Sequence, residues 1–195
     1  GSNGSGKTTL LKILAGVLAD YDGRVRIAGH DPGPETKALV SFLPDASFLA
    51  SGLTAPAAIA QYRRFFADFD ADQAGELVRF FNLPTDRTLK EMSKGMGEKL
   101  RIALTMSRRA RVFLLDEPIS GVDPATRDVI LEGILREFDT ASLLIMSTHL
   151  ISDIEHFVDY ALFMKDGQVL LQGDADDLRA THGDSLDAIF RKEYR

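Results

Sequence analysis

The chain opens on Gly1-Ser2-Asn3-Gly4-Ser5-Gly6-Lys7-Thr8, a full match to the pattern G-x-x-x-x-G-K-[ST], and no other stretch restricts the fold as strongly. Glycines at 1, 4 and 6 free the backbone to turn successive N–H groups inward as an anion nest. Leu10, Leu11, Leu14, Val17 and Leu18 recur at helical spacing, so a helix is expected from Lys7 to about Leu18, with its positive dipole end at the loop. That geometry suits a nucleoside triphosphate: loop amides on the phosphates, Lys7 reaching the β and γ groups, and the Thr8 hydroxyl on Mg²⁺. A Gly/Ser-rich turn ahead of an ordinary helix is the plainer reading of the same residues. A buried strand normally leads into such a loop, yet no residue precedes Gly1 and no initiating Met is present. The sequence is therefore expected to be an N-terminally truncated domain lacking a central strand.

A length of 195 residues, 45% hydrophobic, allows one domain with a substantial core and an inserted subdomain. The formal net charge of −6 argues against a dominant nucleic-acid surface. The absence of cysteine excludes disulfides and thiolate metal sites. The longest apolar runs fall well short of the ~20 residues a membrane-spanning helix needs.

Strand and helix patterns alternate along the chain. Arg24–Ile27 and Leu39–Leu43 read as strands around a turn-rich stretch, and Thr54–Leu83 reads as helix. In that helix, Ile59, Tyr62, Phe65 and Phe66 form one face, Leu77, Phe80 and Phe81 another, and the residues before Pro84 end it. A helix is expected over Lys94–Arg109, then a buried strand at Val112–Leu115 and a helix capped by Asp123-Pro124. A further buried strand is expected at Leu143–Met146. Tyr160–Met164 and Gln168–Leu171 read as a hairpin around Asp166-Gly167, and Asp174–Tyr194 as two short helices. The result is an α/β fold with a ligand at the strand C-terminal ends and an all-helical insertion over residues 46–92.

Three further motifs narrow the chemistry. The strand at Val112–Leu115 runs into Asp116-Glu117-Pro118, where Asp116 suits Mg²⁺ and Glu117 can polarise an attacking water; a capped turn is the plainer alternative. Ser147-Thr148-His149 ends the next strand, and His149 is placed to meet a γ-phosphate, although a lone histidine is more often a cap or a core residue. Glu91-Met92-Ser93-Lys94-Gly95-Met96-Gly97-Glu98-Lys99-Leu100 lies between the helical insertion and the acidic pair. There Ser93 offers a hydroxyl and Gly95 a close backbone approach, at a helix N-terminus.

In this order, with Ser120-Gly121-Val122-Asp123, the motifs resemble those of the ATP-binding-cassette (ABC) ATPases across essentially the whole chain. The family signature, usually L-S-G-G-Q, corresponds to Met92-Ser93-Lys94-Gly95-Met96, of which Ser93 and Gly95 match. The resemblance implies a P-loop NTPase with a mostly parallel, RecA-like sheet core (residues 1–45 and 93–195) and a helical subdomain (46–92). It further implies an ATPase using ATP and Mg²⁺. Gly1, Ser2, Asn3, Gly4, Ser5, Gly6, Lys7, Thr8 and Thr9 would hold the nucleotide in cis. Ser93, Gly95 and the aspartate Asp123 would meet the nucleotide of a second, head-to-tail subunit. Thr8, Asp45 and Asp116 would serve the metal, and Glu117 and His149 the catalysis. Asp45 stands where the family usually has glutamine, in Ser41-Phe42-Leu43-Pro44-Asp45, and a simple turn accounts for Pro44-Asp45 equally well. The aromatic that stacks on adenine in the family would lie upstream of Gly1.

Most members of that family drive transport through a transmembrane permease at the cytoplasmic face of the membrane. Here the docking groove would involve residues 46–69, with Phe48, Leu49, Tyr62, Phe65, Phe66 and Phe69 divided between partner contact and core. The signature variant and the short helical insertion resemble exporter-type subunits. Two other classes stay open: a soluble ABC ATPase acting on ribosomes or DNA, and a regulatory module that holds ATP without turnover, against which Glu117 argues.

Overall fold

The computed structural model describes residues 1–194. Its frame is a three-stranded parallel sheet: β1 (Val40–Leu43), β2 (Val112–Asp116) and β3 (Leu143–Ser147), in the order β1-β2-β3. The apolar run Val112-Phe113-Leu114-Leu115 takes the middle position because both faces of that strand are covered. Leu114 packs with Leu11 of helix α1 (Lys7–Leu14) and with Ala15 just past its end, on one face. Phe113 and Leu115 join the larger cluster on the other face. Helices α3 (Ala55–Phe65), α4 (Ala71–Phe80), α5 (Lys94–Met106) and α6 (Pro124–Glu137) supply most of that cluster. Ala58 and Tyr62 of α3 and Leu77 of α4 share this core with Leu43 and Leu115 of the sheet. The helical stretch 46–92 is thus joined to the sheet by continuous apolar packing.

A hairpin of β4 (Tyr160–Lys165) and β5 (Gln168–Asp174) forms a second, antiparallel sheet. It turns through Asp166 (φ 50°) and Gly167 (φ 77°), as the Asp-Gly pair predicts. Helix α7 (Ile151–Ile154), then α8 (Ala175–His182) and α9 (Leu186–Glu193), bury Ile151, Leu178, Leu186 and Ile189 against Phe163 of β4. The two helices expected over Asp174–Tyr194 are therefore present.

Several boundaries differ from the sequence reading, each for a local reason. Helix α1 stops at Leu14 rather than Leu18, because Gly16 turns the chain at φ 65° and leaves Val17 exposed. No strand forms over Arg24–Ile27; the chain makes a tight turn at Ala28-Gly29 with a single bridge, Ile27 to His30. The stretch expected to turn into a strand at Leu39 instead forms helix α2 (Pro34–Leu39), started by Pro34 and by Thr36, whose hydroxyl accepts from the Gly33 amide at 2.8 Å. The single helix expected over Thr54–Leu83 is two helices. Phe66 is extended, and Asp70 caps α4 by accepting from the amides of Asp72 and Gln73. Helix α5 ends at Met106, releasing Arg108 and Arg109 into ion pairs with Asp68 and Asp70. Strand β3 is not fully buried: it lies at the sheet edge, with Leu143 54% exposed.

Arg108 holds the junction between α3 and α4. Its buried guanidinium pairs with Asp68 at 3.0 Å, donates to the Val40 carbonyl at 2.7 Å and stacks over Phe66 at 4.3 Å. Removing one member of such a pair strands the other and the carbonyls it served. Arg108→Met is expected to destabilise the fold by about 3 kcal/mol. Denaturant unfolding followed by circular dichroism checks this, and an unchanged midpoint would show that the pair is dispensable.

Candidate active site

Parallel register dictates which residues meet at the C-terminal edge of the sheet. Asp116 at the end of β2 lies opposite Ser147 at the end of β3, and Leu43 of β1 lies opposite Leu115. Asp116 is buried; its Oδ1 accepts from the Ser147 hydroxyl at 2.5 Å, whereas Oδ2 is buried without a partner. Glu117 follows at φ 51°, a region that residues with a β-carbon seldom enter. Its amide donates to both the carbonyl and the hydroxyl of Ser147, each at 3.1 Å. This turn aims the Glu117 carboxylate across the edge. Oε2 accepts from His149 Nδ1 at 2.9 Å, and Oε1 lies 3.3 Å from Lys7 Nζ.

The phosphate loop completes this cluster from the other side. Gly4 (φ 79°) and Gly6 (φ 97°) take the left-handed conformations that the pattern requires, and Gly6 precedes the first turn of α1. Lys7 Nζ also donates to the carbonyls of Gly1 at 2.7 Å and Ser2 at 2.8 Å. Ser5 is buried with its hydroxyl unpaired, and its carbonyl accepts from the Gly167 amide in the β4–β5 turn at 3.2 Å. Gly1 is closely packed: a β-carbon there would stand 2.5 Å from Ser5 Oγ and 2.6 Å from the Met164 carbonyl. Ser2, Asn3, Gly4 and Thr9 are exposed, and Thr8 is half-buried.

Lys7, Asp116, Glu117 and His149 are thus brought together as the sequence reading expects. The oxygen chemistry also fits a hard divalent cation, since Asp116 offers a buried, unpartnered carboxylate oxygen at the end of the strand on which α1, the helix that carries Thr8, packs. Among the described residues no three or more His, Cys, Asp or Glu side chains cluster as a metal cage. An ion here would take its remaining ligands from phosphate and water, as Mg²⁺ commonly does. Asp45 leaves β1 at the same edge of the sheet, but its side chain is exposed and forms no ion pair among the described residues.

Ser93, Gly95 and Asp123 come together at a different place. Ser93 caps α5 by accepting from the Met96 amide at 3.2 Å. Asp123 caps α6, accepting from the Thr126 amide at 3.0 Å and the Thr126 hydroxyl at 2.7 Å, bonds that hold its carboxyl below the usual range. The two helix starts line one depression with Lys94, Lys99 and Gly121. A β-carbon at Gly95 would stand 3.1 Å from Thr126 Cγ2, so a side chain there would crowd α6. None of the residues lining the depression belongs to the phosphate loop. The depression and the phosphate-loop cluster are thus separate places on the chain.

Sequence reasoning placed Ser147 at the sheet edge but gave it no role; its register opposite Asp116 makes it the residue that orients both acids. It missed Arg101, which is 5% exposed and donates to the carbonyls of Pro44, Asp45 and Ala46. An arginine within an otherwise amphipathic helix carried no signal of that contact. Of the aromatics set aside for a partner, Tyr62 is buried and Phe66 and Phe69 pack on the core, whereas Phe48 and Phe65 are exposed, Phe65 at 72%.

Comparison with known proteins agrees with this geometry. A family model described as ABC transporter matches residues 1–120. The chain is 27% identical to the ABC transporter ATP-binding protein YtrB of Bacillus subtilis, covering 92% of this chain and 62% of that protein. It is 28% identical to the daunorubicin resistance ATP-binding protein DrrA3 of Streptomyces coeruleorubidus, covering 98% and 64% respectively. With the probable multidrug ABC transporter ATP-binding protein YbhF of Escherichia coli the identity is 31%, over 93% of this chain and 32% of that protein. The chain spans just under two thirds of the length of the first two. A solved ATP-binding subunit of an ABC transporter superposes with a TM-score of 0.86 at 25% identity, covering 100% of this chain and 85% of that one. The dimeric ATP-binding cassette MJ0796, in a post-hydrolysis state with ADP and Pi, shares the fold at a TM-score of 0.76 and 19% identity, over 89% of this chain and 82% of that one. A P-loop α/β fold, a phosphate loop facing an acidic strand end and a family match over more than half the chain lead to one conclusion: the chain belongs to the ABC transporter family.

Proposed function

We propose that this chain binds and hydrolyses ATP as the motor subunit of an ABC transporter, coupling nucleotide-driven pairing of two such subunits to movement of a substrate through a membrane permease. The observation that carries this reading is the line of contacts Lys7–Glu117–His149 beside the unpaired Asp116 oxygen. A cation for phosphate, a carboxylate for water and a ring nitrogen for the terminal phosphate stand within one cluster.

In this reading the loop amides and Lys7 bind the β and γ phosphates. Glu117 orients and polarises the water that attacks the γ-phosphorus, and the bond from that phosphorus to the β–γ bridging oxygen breaks, leaving ADP and inorganic phosphate. His149, fixed through Nδ1 by Glu117, presents Nε2 to the γ-phosphate. Thr8, Asp116 and Asp45 would hold Mg²⁺, which supplies charge neutralisation on the phosphate oxygens. Ser93, Gly95 and Asp123 sit apart from Lys7 on the same chain, so they serve the nucleotide of an opposing subunit in a head-to-tail pair. ATP then acts as interfacial glue, and its hydrolysis releases the pair.

Export is favoured by relatives named for daunorubicin resistance and multidrug transport. Phe48 and Phe65, exposed on the helical stretch, suit a permease contact at the cytoplasmic face of the membrane. Residues 46–92 would form the subdomain that receives that contact, against a core of 1–45 and 93–195.

Replacing Glu117 by Gln keeps the shape and removes the base. Steady-state phosphate release is expected to fall by about 10²-fold or more, while size-exclusion chromatography with ATP shows a trapped dimer; hydrolysis at the parental rate would remove Glu117 from this role. Replacing Asp45 by Gln separates metal binding from loop shape. A carboxylate so near the γ-phosphate adds repulsion that only the metal relieves, so turnover of Asp45→Gln is expected to depend less steeply on Mg²⁺. A Mg²⁺ titration superimposable on that of the parent would remove Asp45 from the metal site.

A further inference from the structure

Helix α5 carries Ser93 and Gly95 at its start, and two turns further on it carries a pair of buried charges. The Arg101 and Glu98 side chains are 6% and 12% exposed and lie 2.7 Å apart. Burial pushes the Glu98 carboxyl up from its ordinary range, against the pull of Arg101. A buried ion pair costs several kcal/mol in lost hydration unless further polar groups satisfy it. Arg101 Nε is buried without a partner, and the groups that satisfy the rest of the guanidinium, apart from Glu98, come from one place. Arg101 Nη1 donates to the Asp45 carbonyl at 3.3 Å, and Nη2 donates to the carbonyls of Pro44 and, at 3.3 Å, Ala46. One guanidinium thus clasps three consecutive carbonyls of the loop that follows β1, with Phe48 5.8 Å away over the cation. Beside it, the buried Ser41 hydroxyl of β1 donates to the Thr105 carbonyl of α5 at 2.8 Å.

We propose that Arg101 is a positioning residue that locks the Asp45 loop to α5, so that the loop beside one nucleotide and the Ser93–Gly95 segment facing the other move as one rigid piece. The proposal rests on the function given above and adds to it the link between the two half-sites. A rigid helix transmits a shift at its middle to its end without a change in its own hydrogen bonds, whereas a loop held by water alone does not. The fork is specific to arginine: a lysine keeps the charge but, as a point donor, cannot span three carbonyls and Glu98 together. Asp45 therefore acts at the metal through its side chain and reports to α5 through its backbone.

The test uses the full-length protein with Arg101→Lys and, in case the buried position tolerates no change there, Glu98→Gln, which loosens the clasp while keeping Arg101. Four quantities are read: affinity for a fluorescent ATP analogue, kcat, the Hill coefficient for ATP, and the thermal midpoint. For either variant the thermal midpoint is expected to fall, since each leaves a buried partner short of bonds; with all assays run well below both midpoints, the analogue affinity is expected to stay near the parental value, kcat to fall by about tenfold, and the Hill coefficient to drop toward 1. Parental kcat and cooperativity in both variants would overturn the proposal, and so would a loss of kcat matched by a loss of analogue affinity or of folded protein at the assay temperature, since those mark a purely structural contact. A parent protein that fails to bind the analogue or to turn over ATP would overturn the proposed function itself, a result seen before any variant is compared.

Discussion

The rest of the site depends on the placing of β2 between two parallel neighbours. Parallel pairing sends the C-terminal ends of all three strands to one side, and the register sets Asp116 against Ser147 and Leu43 against Leu115. A slip of one residue along this register would turn Leu115 to the opposite face and remove Asp116 from the Ser147 hydroxyl. Register is held by packing, since Phe113, Leu114 and Leu115 alternate between two apolar clusters. The chemistry at the edge is thus fixed by hydrophobic burial well away from it.

Charge at that edge is organised by a single serine and a strained turn. Ser147 donates to Asp116 and accepts from the Glu117 amide, leaving one Asp116 oxygen unpaired and swinging the next carboxylate toward Lys7 and His149. The left-handed conformation of Glu117 has a cost that an isolated turn would relieve by relaxing. Two backbone-anchored bonds to Ser147 and the following Ser120-to-Glu117 turn hold it in place. Both oxygens of each acid therefore have distinct surroundings, which is what a site needs if one acid is to serve a cation and its neighbour a water.

The extent to which the sequence foretold this follows from how local each signal is. The phosphate loop, the acidic strand end, the Asp166-Gly167 hairpin and the caps at Ser93 and Asp123 are short-range patterns, and each lies where its residues indicate. Errors came where tertiary contacts override local preference. Asp68 and Asp70 break the run Thr54–Leu83 because Arg108 and Arg109, some forty residues on, require them. Arg24–Ile27 has strand-like composition, yet β1 takes its only described sheet partner from β2. Arg101 was invisible because its partners are carbonyls, which every residue possesses and no sequence pattern marks.

Several functional positions also serve as structural ones, and this limits how the two roles can be separated. Ser93 and Asp123 start α5 and α6 with the same oxygens that, on the proposed function, would face an opposing subunit. A phosphate bound there would compete with the Ser93 and Asp123 oxygens for the Met96 and Thr126 amides, or else meet amides of the first turns that carry no cap, which the helix dipole already favours for an anion. The second route needs no rupture of either cap, and it uses Gly95, whose missing side chain keeps the first turn of α5 close to Thr126 of α6. The spacing that lets the two helix starts pack is also the spacing that sets how far apart their first turns stand around the depression. Changes in the packing of α5 on α6 alter that electrostatic field even where no contacting residue is replaced.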